Sequence, residues 1–241
     1  SYPGITNKLL GKTVSKVCVS YEGMEAYFPK RKIYITGSPI RKEINDLKAT
    51  KEEGVEYFNL TREKTTILVI GGSQGAMKIN EAVGENLDKI VTNNIQMIWQ
   101  TGKASFQMAR DYAERSNKRN YIKVVDFISR MDLAYAVADV IVSRAGAIAI
   151  AEIVAVSKPA IFIPLPSAAE DHQTKNALAL VNGKAAVLVK ENEAIDKLPV
   201  AIHHMLEADS NRLVLVQNLK RFKHPDATEK IVEEIVKMMN E

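Results

Sequence analysis

The chain reads TILVIGGSQGA from Thr66 to Ala76. A short run of β-branched and apolar residues passes directly into a glycine-rich turn, and a helical pattern follows. Continuously apolar runs are typical of strands that helices cover on both faces of a parallel sheet. The stretch therefore predicts a central strand, a tight turn that can approach a ligand, and a helix.

The same alternation of strand and helix extends along most of the chain and predicts an α/β fold with a parallel sheet. The predicted strands are Val14–Ser20, Ile33–Thr36, Thr66–Ile70, Ile95–Gln100, Ile122–Val125, Val140–Ser143, Ala160–Ile163 and Ala186–Val189. The charged stretch from Arg41 to Lys64 lacks a strong strand pattern and predicts a helical connection between two sheets. We place a domain junction near Ser38 to Arg41.

Composition and charge restrict the class of protein. The chain has 241 residues, of which 46% are hydrophobic and 26% are charged, which excludes a disordered or collagen-like protein. The formal net charge of +4 is small for a dedicated nucleic-acid binder and compatible with either an anionic ligand or an anionic membrane surface. The single cysteine, Cys18, lies in a predicted strand and is expected to be a small buried residue. No apolar run reaches the ~18 residues of a membrane span, so we expect a soluble or peripheral protein.

Ligands of open α/β sheets bind beside the carboxyl ends of the strands, and three segments of this chain converge there. The first is the turn Gly71–Ala76, where backbone amides and the Ser73 hydroxyl suit an anion such as phosphate. A glycine-rich turn is also common without any ligand.

The second segment, Ser143–Ala147, follows another apolar strand and opens a helix that carries Glu152. Small residues leave room for a ligand against the start of this helix. The Glu152 carboxylate can accept two hydrogen bonds from a ribose diol, although a solvated helix glutamate is the alternative.

The third segment runs from Pro164 to Asn176. Gln173 and Asn176 are three residues apart, so they share a helix face and offer amides suited to sugar hydroxyls. Asp171 is interpreted as a helix N-cap, and His172 as either a site residue or an ordinary exposed histidine.

In their order and spacing, six strings of this sequence resemble the MurG family of peptidoglycan glycosyltransferases. The strings are Pro3–Asn7, Gly37–Arg41, Gly71–Ala76, Ser143–Glu152, Asp171–Ala177 and Pro225–Glu229. Members of the family transfer N-acetylglucosamine from UDP-N-acetylglucosamine to undecaprenyl-pyrophosphoryl-N-acetylmuramoyl-pentapeptide, which converts lipid I into lipid II. The resemblance corresponds to the C-terminal two thirds of such an enzyme.

The resemblance implies a glycosyltransferase fold of the GT-B type. Residues 1–38 would be a remnant of the N-terminal, acceptor-binding domain, and residues 39–224 the C-terminal nucleotide-sugar domain. Residues 225–241 would form a helix that returns toward the N-terminal domain.

The resemblance also implies a donor site, assigned by position in the matching strings. Arg41 and Ser73 would bind the pyrophosphate, and Gln74 would lie beside the donor. The Ile128 backbone would bind uracil, while Ala147, Ile148 and Glu152 would hold the nucleotide, with Glu152 on the ribose. The residues expected at the N-acetylglucosamine are His172, Gln173 and Asn176.

The implied reaction is an inverting transfer without a covalent sugar–enzyme intermediate, a cofactor or a metal ion, and the sequence contains no Asp-x-Asp pair. The catalytic base is expected in the missing N-terminal domain, so this chain should bind donor without turnover. The implied partners are UDP-N-acetylglucosamine, lipid I through the missing domain, and the cytoplasmic surface of the bacterial cell membrane, where the enzyme would be peripheral. No nucleic acid is implied.

Two alternatives stay open. One is a related glycolipid synthase that uses another nucleotide sugar or a diacylglycerol acceptor. Another is a non-catalytic nucleotide-sugar subunit that needs a membrane-bound partner. A dinucleotide-binding protein is disfavoured because the turn after Ile70 lacks the G-x-G-x-x-G spacing.

Overall fold

The computed structural model describes residues 2–72, 75–168 and 171–240, and within them it contains two parallel sheets. The smaller sheet pairs β1 (Val17–Val19) with β2 (Ile33–Ile35). The larger has six strands, all parallel, in the order β5-β4-β3-β6-β7-β8. These strands are β3 (Thr65–Ile70), β4 (Ile95–Gln100), β5 (Ile122–Val125), β6 (Val140–Ser143), β7 (Ala160–Phe162) and β8 (Val187–Leu188). The predicted α/β fold is confirmed.

Helices connect the strands. They are α1 (Ile5–Leu10), α2 (Lys42–Asn45), α3 (Lys51–Tyr57), α4 (Met77–Gly84), α5 (Leu87–Ile90), α6 (Phe106–Arg115), α7 (Met131–Val137), α8 (Ala147–Val156), α9 (His172–Asn182), α10 (Ala194–Glu207), α11 (Asp209–Leu219) and α12 (Ala227–Met239). The charged stretch after Arg41 contains the short helices α2 and α3 and no strand, in agreement with its composition.

The core consists of two layers, one on each face of the larger sheet. Successive side chains of a strand point to opposite faces. Accordingly, Leu68 and Ile70 pack with residues of α7, α8 and α9, whereas Ile67 and Val69 pack with residues of α4, α6 and α10. Both faces of β3 are therefore buried, which explains why Ile67–Ile70 are apolar without alternation.

The strand order creates a crevice at the centre of the larger sheet. The chain passes from β3 outward to β4 on one side and later to β6 on the other, and Ile70 of β3 lies in register with Ser143 of β6. Such a reversal of strand order opens a ligand site at the carboxyl ends of the two strands. The turns that follow β3 and β6 therefore lie side by side.

The end of the chain returns to the smaller sheet. Lys16, just before β1, pairs with Glu234 of α12 at 2.8 Å. The Asn45 side-chain amide donates to the Pro225 carbonyl at 2.7 Å. The domain boundaries at residues 38 and 224 stay predictions.

The expectation that Cys18 is buried is wrong. Val19 packs with Met24 and Phe28, and Cys18, as its neighbour in the strand, points to the opposite face of the smaller sheet. This thiol is exposed.

Candidate functional site

A cleft of about 820 Å³ lies at the carboxyl edge of the larger sheet. Its walls come from the ends of β3, β4 and β6 and from the first turns of α4, α7 and α8. Of the ten predicted site residues, the cleft is lined by five: Arg41, Ile128, Ile148, Glu152 and Gln173. The cleft is therefore where the three sequence segments meet.

The glycine turn after β3 forms one wall of the cleft. Gly75 has φ +78°, and a Cβ atom there would lie 2.2 Å from the carbonyl oxygen of Thr101. Only glycine fits this position without a backbone shift. The Gln100 side chain donates a hydrogen bond to the Gly72 carbonyl at 3.1 Å, which ties the turn to the end of β4. Ser73 and Gln74, both predicted at the donor, lie outside the described residues.

Behind the turn, a buried hydrogen-bonded chain holds α4 against β4. The Trp99 indole N–H donates to the Asn80 side-chain oxygen at 2.9 Å. The Asn80 amide in turn donates to the Thr101 carbonyl at 2.9 Å. All three residues are buried, so this arrangement fixes the start of α4 relative to the cleft. Sequence reasoning did not identify Asn80, because nothing local marks it as the partner of an indole on another element.

Glu152 presents its carboxylate to the cleft from α8 and is only 6% exposed. Its Oε1 accepts hydrogen bonds from Arg41 Nε at 3.1 Å and Arg41 Nη2 at 3.0 Å. Its Oε2 accepts one from the Tyr135 hydroxyl at 3.0 Å. A buried carboxylate requires such partners. The alternative of a solvated helix glutamate is therefore wrong.

Tyr135, which donates a hydrogen bond to the Glu152 carboxylate in the cleft, was also missed by the sequence patterns. Burial raises the pKa of its hydroxyl well above the ordinary value, and the charge and hydrogen bond of Glu152 raise that pKa further. The phenol therefore stays protonated and donates to Glu152 at physiological pH. Its position in an apolar helix, LAYAV, gave no sign of this contact.

Arg144 follows β6 directly and lines the same cleft. Its Nη1 donates to the carbonyl oxygens of Ile163 and Pro164 at 3.1 and 3.2 Å, and its Nη2 forms an ion pair with Glu191. These contacts hold the ends of β6 and β7 together. Sequence reasoning had treated this segment only as a source of small residues.

The third segment, which runs into α9, reaches the cleft in part. Gln173 lines the cleft, and its Oε1 accepts a hydrogen bond from the Leu165 amide at 3.1 Å. Asn176 is 1% exposed and is engaged elsewhere, since it accepts from the Tyr2 amide at 3.1 Å and donates to the Ala145 carbonyl at 3.3 Å. Among the described residues, Ala147, His172 and Asn176 do not line the cleft.

Asp171 occupies the N-cap position of α9, as predicted, but in the left-handed conformation, with φ 54°. Its carboxylate accepts from the Thr174 hydroxyl at 2.6 Å instead of from a backbone amide. Its role as a side-chain cap is therefore not realised.

At the outer rim of the cleft, Ile128 is buried while its neighbour Phe127 is exposed, and Ile148 of α8 is also exposed. An apolar rim beside a buried carboxylate suits a ligand with a flat ring and a hydroxylated sugar.

Within residues 2–72, 75–168 and 171–240, no cluster of three or more His, Cys, Asp or Glu side chains could hold a metal ion. None of the helices described in those ranges is long and apolar enough to cross a membrane.

The parallel sheet, the crevice at its reversal point and the glycine turn are those of an α/β domain of the GT-B class. A profile of the glycosyltransferase family 28 C-terminal domain matches residues 66–231, and the chain belongs to this family.

Curated relatives cover the chain almost end to end. The chain is 44% identical over 239 residues to the UDP-N-acetylglucosamine--N-acetylmuramyl-(pentapeptide) pyrophosphoryl-undecaprenol N-acetylglucosamine transferase of Flavobacterium psychrophilum, with 99% of this chain and 64% of that protein aligned. It is 44% identical over 241 residues to the enzyme of the same name from Parabacteroides distasonis, with 100% of this chain and 65% of that protein aligned. The chain thus spans slightly less than two thirds of the length of these relatives.

Solved structures agree with this assignment. The crystal structure of Acinetobacter baumannii MurG superposes with a TM-score of 0.78 at 26% identity, covering 97% of this chain and 64% of that one. A complex of S. aureus MnaA with UDP superposes with a TM-score of 0.68 at 12% identity, covering 98% of this chain and 64% of that one, and shows similarity of fold alone. The resemblance found in the six sequence strings is confirmed.

Proposed function

We propose that this chain is the donor-binding part of an enzyme that transfers N-acetylglucosamine from UDP-N-acetylglucosamine to lipid I and forms lipid II. The observation that carries the proposal is the buried carboxylate of Glu152 in a cleft that the glycine turn after β3 also lines. The names of relatives that are 44% identical supply the donor and the acceptor.

In the proposed complex, the backbone at Ile128 binds uracil and Glu152 accepts hydrogen bonds from the ribose. The pyrophosphate lies at the glycine turn, near the first turns of α4 and α8, whose free amides favour an anion. Arg41 adds a positive charge there, and Gln173 contacts the sugar. The cleft lining supports these roles for the residues it includes.

The proposed reaction is a direct displacement. The acceptor hydroxyl attacks the anomeric carbon, the bond from that carbon to the UDP oxygen breaks, and the configuration inverts. Negative charge that develops on the departing pyrophosphate is stabilised by backbone amides, helix N-termini and Arg41. The acceptor proton passes to a base that we assign to the part of the relatives that this chain does not span.

Two further proposals follow from this assignment. Lipid I is a membrane lipid, so the complete enzyme would work as a peripheral protein on the cytoplasmic face of the bacterial membrane. Residues 1–38 and 225–241 would belong with the acceptor-binding domain, which the contact between Lys16 and Glu234 supports.

Calorimetric titration tests the donor site. The chain should bind UDP-N-acetylglucosamine saturably, and more tightly than UDP-glucose, with a chelator present. Glu152→Gln should weaken this binding, whereas Glu56→Gln, an exposed position on α3, should leave it unchanged. Equal affinity for the two sugar nucleotides would favour another glycolipid synthase, and the absence of binding would contradict the proposal.

A turnover assay tests the assignment of the base. With lipid I and UDP-N-acetylglucosamine supplied, the purified chain should produce no lipid II. Detectable lipid II would show that a catalytic base lies within these residues.

A further inference from the structure

The two partners of the Glu152 carboxylate differ in how freely they can leave it. The Tyr135 hydroxyl donates to Oε2 from a side chain that is 1% exposed, within the packed face of α7. The Arg41 side chain, which donates to Oε1, is 46% exposed. A ligand that enters the cleft can therefore displace Arg41, while Tyr135 stays in place.

The Glu152 carboxylate can accept few further hydrogen bonds while both Arg41 and Tyr135 donate to it. A carboxylate offers about four lone-pair positions, two on each oxygen. Arg41 donates twice to Oε1, through Nε and Nη2, and Tyr135 donates once to Oε2. A ribose diol brings two O–H donors, so it needs at least one of the positions that Arg41 now uses.

The hydroxyl of Tyr135 has no role in packing. A phenylalanine would fill nearly the same volume, and a buried hydroxyl costs free energy unless it is hydrogen-bonded. The partner that satisfies this hydroxyl is the Glu152 carboxylate. Burial also raises the pKa of the phenol, so it remains a donor throughout the neutral pH range.

We infer that Tyr135 is a positioning residue, whose hydroxyl holds Oε2 of Glu152 and so orients the carboxylate to receive the ribose hydroxyls. This inference rests on the proposed nucleotide-sugar site. It assigns to Tyr135 a specific part of the binding free energy, namely the part that depends on the 2′- and 3′-hydroxyls.

The test compares UDP with 2′,3′-dideoxy-UDP by calorimetry, for the unchanged chain and for Tyr135→Phe. The unchanged chain should bind UDP at least about tenfold more tightly than the dideoxy nucleotide, because the dideoxy nucleotide lacks the hydroxyls that donate to the Glu152 carboxylate. Tyr135→Phe should weaken UDP binding by about tenfold and change dideoxy-UDP binding by less than about twofold. A purely structural defect would weaken the binding of both nucleotides equally.

Two variants complete the experiment. In a Glu152→Ala background, Tyr135→Phe should have no further effect on UDP affinity, because the group that it positions is absent. Tyr112→Phe is the matched control, since Tyr112 packs on Gly84 at the opposite face of the sheet and should leave both affinities unchanged.

The outcomes separate this inference from the proposed function. If the unchanged chain discriminates between the nucleotides and Tyr135→Phe discriminates equally well, the positioning role is wrong while the donor site stands. If the unchanged chain binds both equally, Glu152 does not bind the ribose and the inference fails. If it binds neither UDP nor UDP-N-acetylglucosamine, the proposed function and the inference fail together.

Discussion

The Arg41 guanidinium lies 3.0 Å from the Glu152 carboxylate, although 111 residues separate the two in the chain. Arg41 stands at the predicted domain junction, and Glu152 lies on α8 in the cleft. The pair therefore connects the junction to the proposed donor site. Solvent can reach this contact from the side of the arginine, because Arg41 is half-exposed while Glu152 is buried.

Replacing Arg41 tests whether this arginine acts on the phosphates. Arg41→Ala should weaken UDP binding by about tenfold, because a charge-assisted hydrogen bond to phosphate is lost. Binding of uridine should not weaken, since the variant leaves Glu152 free for the ribose. Calorimetry with UDP and an NMR titration with uridine measure the two effects. Arg115→Ala, at an exposed position of α6, is the control. An equal loss for both ligands would show that Arg41 acts only by holding Glu152.

The chain of hydrogen bonds behind the glycine turn predicts a loss of stability. Asn80→Ala leaves the Trp99 indole N–H and the Thr101 carbonyl oxygen without their side-chain partner in a buried place. We expect the free energy of unfolding to fall by about 2 kcal/mol, as is typical for buried polar groups left unsatisfied. Urea denaturation measures this free energy of unfolding. Asn94→Ala, at an exposed position before β4, should cost less than about 0.5 kcal/mol. Similar losses in both variants would contradict this account.

The central strands could be predicted from sequence because their signal is local. Ile95–Gln100 and Val140–Ser143 were predicted at their observed bounds, since helices cover both faces of these strands and most of their residues are apolar. The strand predicted over Val14–Ser20 is shorter, at Val17–Val19, because only those residues pair with β2. Strand length in a two-stranded sheet depends on the partner, which the local pattern does not contain.

The residues of the site likewise fall into those that the sequence could predict and those that it could not. The glycine turn and Glu152 could be found because each stands in a strand–turn–helix string. The contact between Tyr135 and Glu152 could not, because it depends on how α7 packs against α8. Asn176 shares a helix face with Gln173, but the fold turns its amide toward the Ala145 carbonyl and the Tyr2 amide. Spacing alone cannot separate a residue that faces the ligand from one that faces the interior.

Two glycines of the turn after β3 provide a matched comparison. Both have positive φ, +79° at Gly72 and +78° at Gly75, so alanine is strained at each. At Gly72 a Cβ atom would meet nothing within 4 Å, whereas at Gly75 it would lie 2.2 Å from the Thr101 carbonyl oxygen. Gly72→Ala should cost about 1 kcal/mol of stability and Gly75→Ala at least about 2 kcal/mol.

Urea denaturation of the two glycine variants measures these costs. Gly75→Ala should also weaken UDP binding, because the wall of the cleft must move. Equal costs for the two variants would mean that the turn relaxes away from Thr101 freely, and it would remove the argument that this close approach shapes the cleft.

The remaining prediction concerns pH and His224, which packs against Gly37 where the end of the chain returns. Burial lowers the pKa of this imidazole below its ordinary value near 6.5, nearby Lys230 lowers it further, and Asp226 opposes the shift. The unfolded chain therefore binds the proton more readily than the folded chain. Protonation favours unfolding, so stability is lost as the pH falls from about 6.5 through the lower folded pKa.

His224→Gln removes this titration, so we expect the variant to lose less stability than the unchanged chain when the pH falls from 7 to 5. Above pH 7 the imidazole is neutral in both states, and the difference between the two chains should no longer change with pH. Urea denaturation at several pH values measures the stability of both chains. His204→Gln, at an exposed position of α10, is the control and should follow the unchanged chain. Parallel stability curves for His224→Gln and the unchanged chain would show that protonation of His224 does not oppose folding, and that its contact with Gly37 tolerates the charge.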